Sequence, residues 1–148
     1  MKYPPVVQVL VAAVLAWILA RYLPLTQFGG AFADYVMWLS VVVGVGSLAT
    51  ALNVFRIQKT TFDPLDPSKA QKLVVVGIYR ITRNPMYVAM ALLLVGWCLF
   101  LGDLVAFIAL PSFVIAMNEL QIKAEEHALL QKFGDDYAIY KQRVRRWL

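Results

Sequence analysis

The sequence predicts an all-α fold: a polytopic membrane helical bundle of about four transmembrane helices, with a cytoplasmic helical extension at its C-terminal end. Three observations predict it. Hydrophobic residues make up 61% of the 148 positions and mean hydropathy is +0.66, against roughly 45–50% apolar residues in soluble domains. The apolar residues are gathered into four long runs with turn-forming residues between them. The charges are collected mainly in the connection before the third run and in the tail after the fourth. The length suits a single domain over 1–148.

The first run, 5–22, is close to the roughly 20 residues that a spanning helix needs. It exceeds a secretory h-region and no small-x-small cleavage site follows, so it reads as a spanning helix rather than a signal peptide. Ala12, Ala16 and Ala20 recur at helical spacing and let a neighbouring helix approach closely. A loop over 23–34 holds Pro24, Gly29 and Gly30. The second run covers about 35–55, with Ser40, Gly44 and Ser47 as a seam of small residues for helix packing. The connection over 56–84 carries the turn signals Asp63-Pro64 and Asp66-Pro67. Its apolar stretch 73–76 is too short to span and reads as interfacial.

The third run starts at Pro85, a favoured first helical residue, with Asn84 as N-cap, and ends near Leu101. Gly102-Asp103 makes a tight turn, with Asp103 capping the next helix. The fourth run, 104–117, contains Pro111, which is expected to kink it. The third and fourth runs are short for a full bilayer, so this hairpin is expected to tilt or to sit in a thinned region. The last helix continues out of the membrane over 118–133 and stops at Gly134, after which Asp135 or Asp136 caps a final helix. There Tyr137, Tyr140, Val144 and Leu148 share one face, with Trp147 at its edge and bases around the rest, the pattern of a helix resting on a membrane surface.

Basic residues crowd the central connection and the C-terminal tail. The positive-inside rule puts both in the cytoplasm, and an even number of crossings puts the N-terminus there too. Arg21 is the one dissenter. The net charge of +5 suits anionic lipid head groups better than a nucleic acid, since the membrane segments leave no free basic face for a duplex. One histidine, His127, argues against a His-built metal site. One cysteine, Cys98, excludes an intrachain disulfide.

The residues with chemical potential lie in two clusters. The first is Gly77-Ile78-Tyr79-Arg80-Ile81-Thr82-Arg83-Asn84-Pro85-Met86-Tyr87, polar and cationic directly before an apolar helix. Charge at a bilayer is costly and marks function. A helix N-terminus at Pro85, flanked by Arg80 and Arg83, presents N–H groups and positive potential to an anion. Tyr79 and Tyr87 offer hydroxyls or ring faces, or serve as interfacial anchors. The second is Glu125-Glu126. Glu126 falls within the apolar stripe of Ile122, Leu129 and Phe133, where a carboxylate needs a cation or strong donors. Arg80 and Arg83 are its natural partners, either as a structural salt bridge or as one wall of a binding pocket. Arg143, Arg145, Arg146 and Trp147 form a membrane anchor, from which one arginine could close the pocket over a substrate head group.

These residues resemble the isoprenylcysteine carboxyl methyltransferase family, related to the membrane phospholipid methyltransferases. The family pattern is Gly-x-Tyr-Arg-x-x-Arg-His/Asn-Pro-x-Tyr, an apolar hairpin, Glu-Glu-x-x-Leu, Phe-Gly-x-x-Tyr-x-x-Tyr and a basic end with Trp. Here these read 77–87, Glu125-Glu126-His127-Ala128-Leu129, Phe133-Gly134 with Tyr137 and Tyr140, and Val144-Arg145-Arg146-Trp147. Thr60-Thr61-Phe62-Asp63-Pro64 resembles the region upstream of the motif. The resemblance covers roughly the C-terminal two-thirds, and the ordered set of motifs is more specific than any one of them.

The resemblance implies S-adenosylmethionine as methyl donor, with S-adenosylhomocysteine as product. Residues 1–55 would hold the first two transmembrane helices, and 56–148 the cofactor-binding core. Tyr79, Arg80, Arg83, Asn84, Pro85, Tyr87, Glu125 and Glu126 become cofactor-site candidates, with Arg83 and Glu126 in the catalytic role and Arg143 and Arg146 toward the substrate. Where the eukaryotic carboxyl methyltransferases carry His before the proline, Asn84 stands here and cannot titrate near neutrality. The implied acceptor is lipid-like or prenylated: a carboxylate, amine, phenol or thiol. It would be methylated at the cytoplasmic face of what would be a bacterial inner membrane, with no metal and no nucleic acid. Oligomeric state stays open. An NADPH-dependent membrane reductase of the sterol-reductase type and a non-catalytic lipid-binding protein are the alternatives.

Overall fold

The computed structural model describes residues 4–57 and 72–148. Among these residues the secondary structure is helical, with two isolated backbone bridges and no strand. Asp63-Pro64, Asp66-Pro67 and the Thr60-to-Pro64 stretch lie outside the described residues. Helices α1 (Pro5–Tyr22) and α3 (Pro85–Leu101) begin at prolines, as expected, because the first helical position needs no N–H. Helix α2 (Ala31–Ile57) is longer than the expected 35–55. The chain turns helical directly after Gly30, whose carbonyl accepts from Asp34 N at 3.1 Å.

The last helical run is a rod as far as a break at Gly134, with three internal changes of winding before it. A 3-10 turn (Leu104–Ile108) leads into α4 (Ala109–Met117), a π turn (Asn118–Ile122) follows, and α5 (Lys123–Arg143) completes it. Pro111 is the third residue of α4. A proline ring excludes the carbonyl four residues earlier, here that of Phe107, which lies within the 3-10 turn. Gly134 interrupts α5 at φ 52°, ψ −124°, backbone that favours glycine. The expected surface helix with Tyr137, Tyr140, Val144 and Leu148 on a membrane-facing side is not what forms. The helix ends at Arg143, Val144 is extended, and Tyr137 and Tyr140 are buried. Backbone pairing of the last residues with the chain before α3 outcompetes a further helical turn.

Among the described residues, three helices are long and apolar enough to cross a membrane: Pro5–Tyr22, Ala31–Val54 and Leu104–Arg143; α3, with 17 residues, is a shorter apolar helix. In the third of these the apolar part is 104–117, and the more polar π turn and α5 project beyond it. The outward faces carry apolar side chains such as Val11 (63% exposed) and Trp38 (62%). Such surface is at home against lipid tails, which are as apolar as leucine.

Helix α3 holds the core, with Met86, Tyr87, Ala89, Leu94 and Cys98 buried. α2 lies antiparallel to it along a seam of small residues. A Cβ on Gly96 would meet Val41 Cγ2 at 2.9 Å, and one on Gly44 would meet the Ala89 carbonyl at 3.2 Å. On the other side Ala12 and Ala16 of α1 are buried, and Trp97 Nε1 donates to the Ala13 carbonyl at 3.0 Å. At one end of the bundle, the α1–α2 loop is latched to the turn after α3. Asp103 accepts from Leu25 N (3.1 Å) and Val105 N (2.9 Å), Phe28 N donates to the Gly102 carbonyl, and Leu104 N to that of Thr26. Asp103 thus caps the next helix, as its position predicts. The opposite end gathers the start of α3 and the exit of the 104–143 rod.

Candidate functional site at the polar end of the bundle

Four pieces of chain meet there: the 3-10 turn Gly77–Arg80 with residues 81–84, the first turn of α3, the rod over 118–126, and the last five residues. The last five act as a strap. Thr82 and Arg145 form a parallel bridge, and Arg83 N donates to the Arg145 carbonyl at 3.0 Å. The Arg146 carbonyl accepts from Thr82 Oγ1 (3.1 Å) and Asn84 Nδ2 (2.9 Å). Asn84 therefore occupies the N-cap position of α3 without capping it by side chain. Its amide holds the strap instead, and Thr82 Oγ1 accepts from Asn84 N at 3.1 Å.

Glu126 is the centre of a charge cluster. Its Oε1 faces Arg83 Nη2 at 3.0 Å and Arg146 Nε at 2.9 Å; its Oε2 faces Arg146 Nη2 at 2.8 Å and Lys141 Nζ at 3.6 Å. Arg146 thus grips the carboxylate with two parallel N–H bonds, a strong and directional arrangement. Burial by itself would push the Glu126 carboxyl up. The Arg146 hydrogen bonds, with Arg83 and Lys141 nearby, outweigh that and hold it below its ordinary value. Three cations surround one carboxylate, so the local balance is positive. The Arg83 side chain is only 8% exposed, and its Nε and Nη1 are buried without a hydrogen-bond partner among the described residues. Unpaired buried donors are rare and call for an explanation.

Next to this cluster lies a second network. The Tyr87 hydroxyl and Gln121 Nε2 (2.8 Å) both donate to Glu125 Oε1. Burial pushes the Glu125 carboxyl up to about 7, against the lowering effect of these two donors. Two adjacent carboxyls are thereby set apart, one ionised by arginines and one held near neutrality. Tyr140 Oη donates to the Tyr79 carbonyl at 2.7 Å, tying α5 to the 3-10 turn. The Tyr79 and Tyr140 rings are buried, inside the site rather than at a lipid boundary. Beside these groups an apolar groove of about 300 Å³ runs between α3 and α4. Val88, Leu92, Val95, Leu110 and Val114 line it, with Trp147 and Leu148 toward the polar end.

The structure brings together Tyr79, Arg83, Asn84, Pro85, Tyr87, Glu125, Glu126 and Arg146. Arg80 and Arg143 are exposed and stand apart from the cluster. Arg146, expected as a membrane anchor or head-group ligand, is committed to Glu126. Sequence reasoning gave no role to Thr82, which lies within the first cluster, and missed Asn118, Gln121 and Lys141. Gln121 carried a usable signal: it precedes Glu125 by one helical turn within a largely apolar stretch. The π turn Asn118–Ile122 contains Gln121 and Ile122, both buried, and such turns often occur at functional sites. No cluster of metal-ligating side chains occurs among the described residues.

Comparison with known proteins agrees with this picture. Residues 32–136 match the phospholipid methyltransferase family. An uncharacterised protein of Haemophilus influenzae is 46% identical over 63 residues, 43% of this chain and all of that one. Protein-S-isoprenylcysteine O-methyltransferase B of Arabidopsis thaliana is 38% identical over 73 residues, 49% of this chain. The Schizosaccharomyces pombe protein-S-isoprenylcysteine O-methyltransferase is 31% identical over 87 residues, 57% of this chain. The chain spans 37% of the length of each of these two methyltransferases. No solved structure matches at a significant level. With well over half of its length in the family match and its motifs gathered at one end of an apolar helical bundle, the chain belongs to the phospholipid methyltransferase family of membrane proteins.

Proposed function

We propose that this protein is an S-adenosylmethionine-dependent methyltransferase of a lipid-like or prenylated acceptor, working at the cytoplasmic face of a bacterial inner membrane with both termini in the cytoplasm. The observation that carries the reading is Arg83: a buried guanidinium, tied to Glu126 through one nitrogen, with its other two nitrogens left for a ligand. A carboxylate satisfies such donors, and the amino-acid end of S-adenosylmethionine carries one. The residues present therefore fit the donor that the family implies. When bound, that donor supplies a sulfonium methyl group as the reactive centre.

The chain's own residues supply binding, orientation and exclusion of water. Arg83 holds the carboxylate of the donor. Glu126, locked between Arg83 and Arg146, fixes the direction of the Arg83 guanidinium. Tyr87 and Gln121 hold Glu125 at the membrane boundary, where it can accept a proton from an amine acceptor; a carboxylate acceptor needs no base. The tyrosines Tyr79, Tyr137 and Tyr140 close the polar end to water. The apolar groove beside Val88 and Trp147 supports lateral entry of the acceptor from the bilayer, so that a polar donor and an apolar acceptor reach one point from different phases. Positioning of this kind accounts for up to roughly 7–11 kcal/mol of barrier in favourable cases.

The test is incubation of the purified protein in lipid nanodiscs with isotope-labelled S-adenosylmethionine and native lipid extract, followed by mass spectrometry. A labelled lipid product is expected, with donor binding lost in Arg83→Ala. Absence of both labelled product and donor binding in the unaltered protein overturns the reading.

A further inference from the structure

Asn118 belongs to neither cluster that the sequence singles out, yet it touches both sides of the site. It opens the π turn where the last rod leaves its apolar portion. Its Oδ1 accepts from Trp147 Nε1 at 3.1 Å and from Arg146 Nη1 at 3.4 Å. Through Arg146 it reaches the Glu126 cluster, since the other guanidinium nitrogens of Arg146 grip that carboxylate. Through Trp147 it reaches the apolar groove, which Trp147 lines together with Val88 and Val114.

The indole is large and rigid, with one polar atom, and a hydrogen bond at that atom fixes the plane of the ring. The backbone of the strap is held separately, by Thr82 and Asn84 on the Arg146 carbonyl. Loss of the Asn118 acceptor therefore frees the Trp147 ring while the strap stays in place.

We propose that Asn118 is a positioning residue for acceptor specificity: by fixing the Trp147 indole between the charge cluster and the groove, it sets which hydrocarbon chain of the acceptor the site admits. The inference rests on the methyltransferase reading above and adds to it the residue that selects the acceptor chain. Only the oxygen of the Asn118 amide takes part in these bonds, so Asp at this position retains the contact and Ala removes it.

The experiment compares the unaltered protein with Asn118→Ala and Asn118→Asp in nanodiscs. Native lipid extract and isotope-labelled S-adenosylmethionine are supplied, and the chain-length distribution of labelled products is read by mass spectrometry. Hydroxyl-radical footprinting of Trp147 runs in parallel without donor or acceptor. Asn118→Ala is expected to broaden the distribution and to raise the apparent KM for the extract about five- to tenfold, the worth of one such hydrogen bond. Oxidation of Trp147 rises several-fold, donor affinity stays within about twofold, and Asn118→Asp restores all of these. A uniform loss of product with an unchanged distribution, or unchanged Trp147 oxidation, overturns the inference while leaving the methyltransferase reading intact. Failure of the unaltered protein to bind donor or yield product removes both.

Discussion

Glu126 keeps about a tenth of its side-chain surface exposed and is surrounded by Arg83, Arg146 and Lys141. Removing one member of such a group is not equivalent to removing another. Glu126→Gln leaves three cations facing one another, and breaking a buried pair in this way costs about 3–5 kcal/mol. Arg146→Ala leaves Glu126 still paired with Arg83 and Lys141, so its cost is smaller. The thermal midpoint in detergent is expected to fall further for Glu126→Gln than for Arg146→Ala; the reverse order would mean that the strap, not the carboxylate, organises the cluster. The neighbouring Glu125 acts in a different pH window. Its folded-state pKa is raised from 4.5 to about 7, so the folded state binds the extra proton. Its contribution to stability is full below pH 4.5 and is lost as pH rises to about 7. Glu126, whose pKa is lowered, contributes with the opposite sign, and only below its ordinary value. Between pH 5 and 8 the slope therefore belongs to Glu125. The thermal midpoint should fall across that interval, and Glu125→Gln should flatten the decline.

The elements that could be read from the chain are those whose ends are set locally. Pro5 and Pro85 start α1 and α3 at their first helical residues, and Gly102 stops α3 in the left-handed region at φ 65°. The break at Gly134 was legible for the same reason, since the residue itself supplies the unusual backbone. No neighbour lies within 4 Å of a Cβ built there, so Gly134→Ala should destabilise by conformational strain alone, about 1–3 kcal/mol. A midpoint in chemical or thermal unfolding unchanged by this substitution would show that α5 can straighten without loss. What the sequence did not disclose depends on contacts between distant residues. The strap pairs Arg145 with Thr82, and the amide of Asn84 turns from the helix it precedes toward the Arg146 carbonyl. Neither leaves a periodic signal, and the aromatic spacing of Tyr137 and Tyr140 fits a core-facing pair as well as a lipid-facing one. The π turn Asn118–Ile122 is equally silent, because the extra residue in its winding is a choice made by packing. The two acidic residues and Arg83 were legible as a candidate site because charge beside membrane-grade apolar sequence stands out against its background. Which arginine would meet which acid was decided by the strap.

At the scale of the molecule, alternating helix directions place the polar site at one end of the bundle and the Asp103 latch at the other. The described lysines and arginines follow the same division. Arg21 ends α1 near the latch, whereas Arg56, Arg80, Arg83 and the basic residues of α5 and the strap lie toward the site. By the positive-inside rule, which counts such bases close to the membrane ends, this division is the one expected for a site end in the cytoplasm, the orientation proposed above. The proposed orientation also serves the proposed chemistry, since it would turn the charge cluster to the compartment where the donor is made and leave the groove facing the bilayer. The orientation can be measured with single cysteines, because Cys98 is fully buried and should stay silent to a charged thiol reagent. Leu25→Cys, in the exposed loop by the latch, is expected to react in intact spheroplasts. Arg143→Cys, exposed at the site end, should react only after the membrane is opened. Labelling of Arg143→Cys from outside, with Leu25→Cys protected, would place the charge cluster in the wrong compartment and leave a cytosolic donor without a route to Arg83.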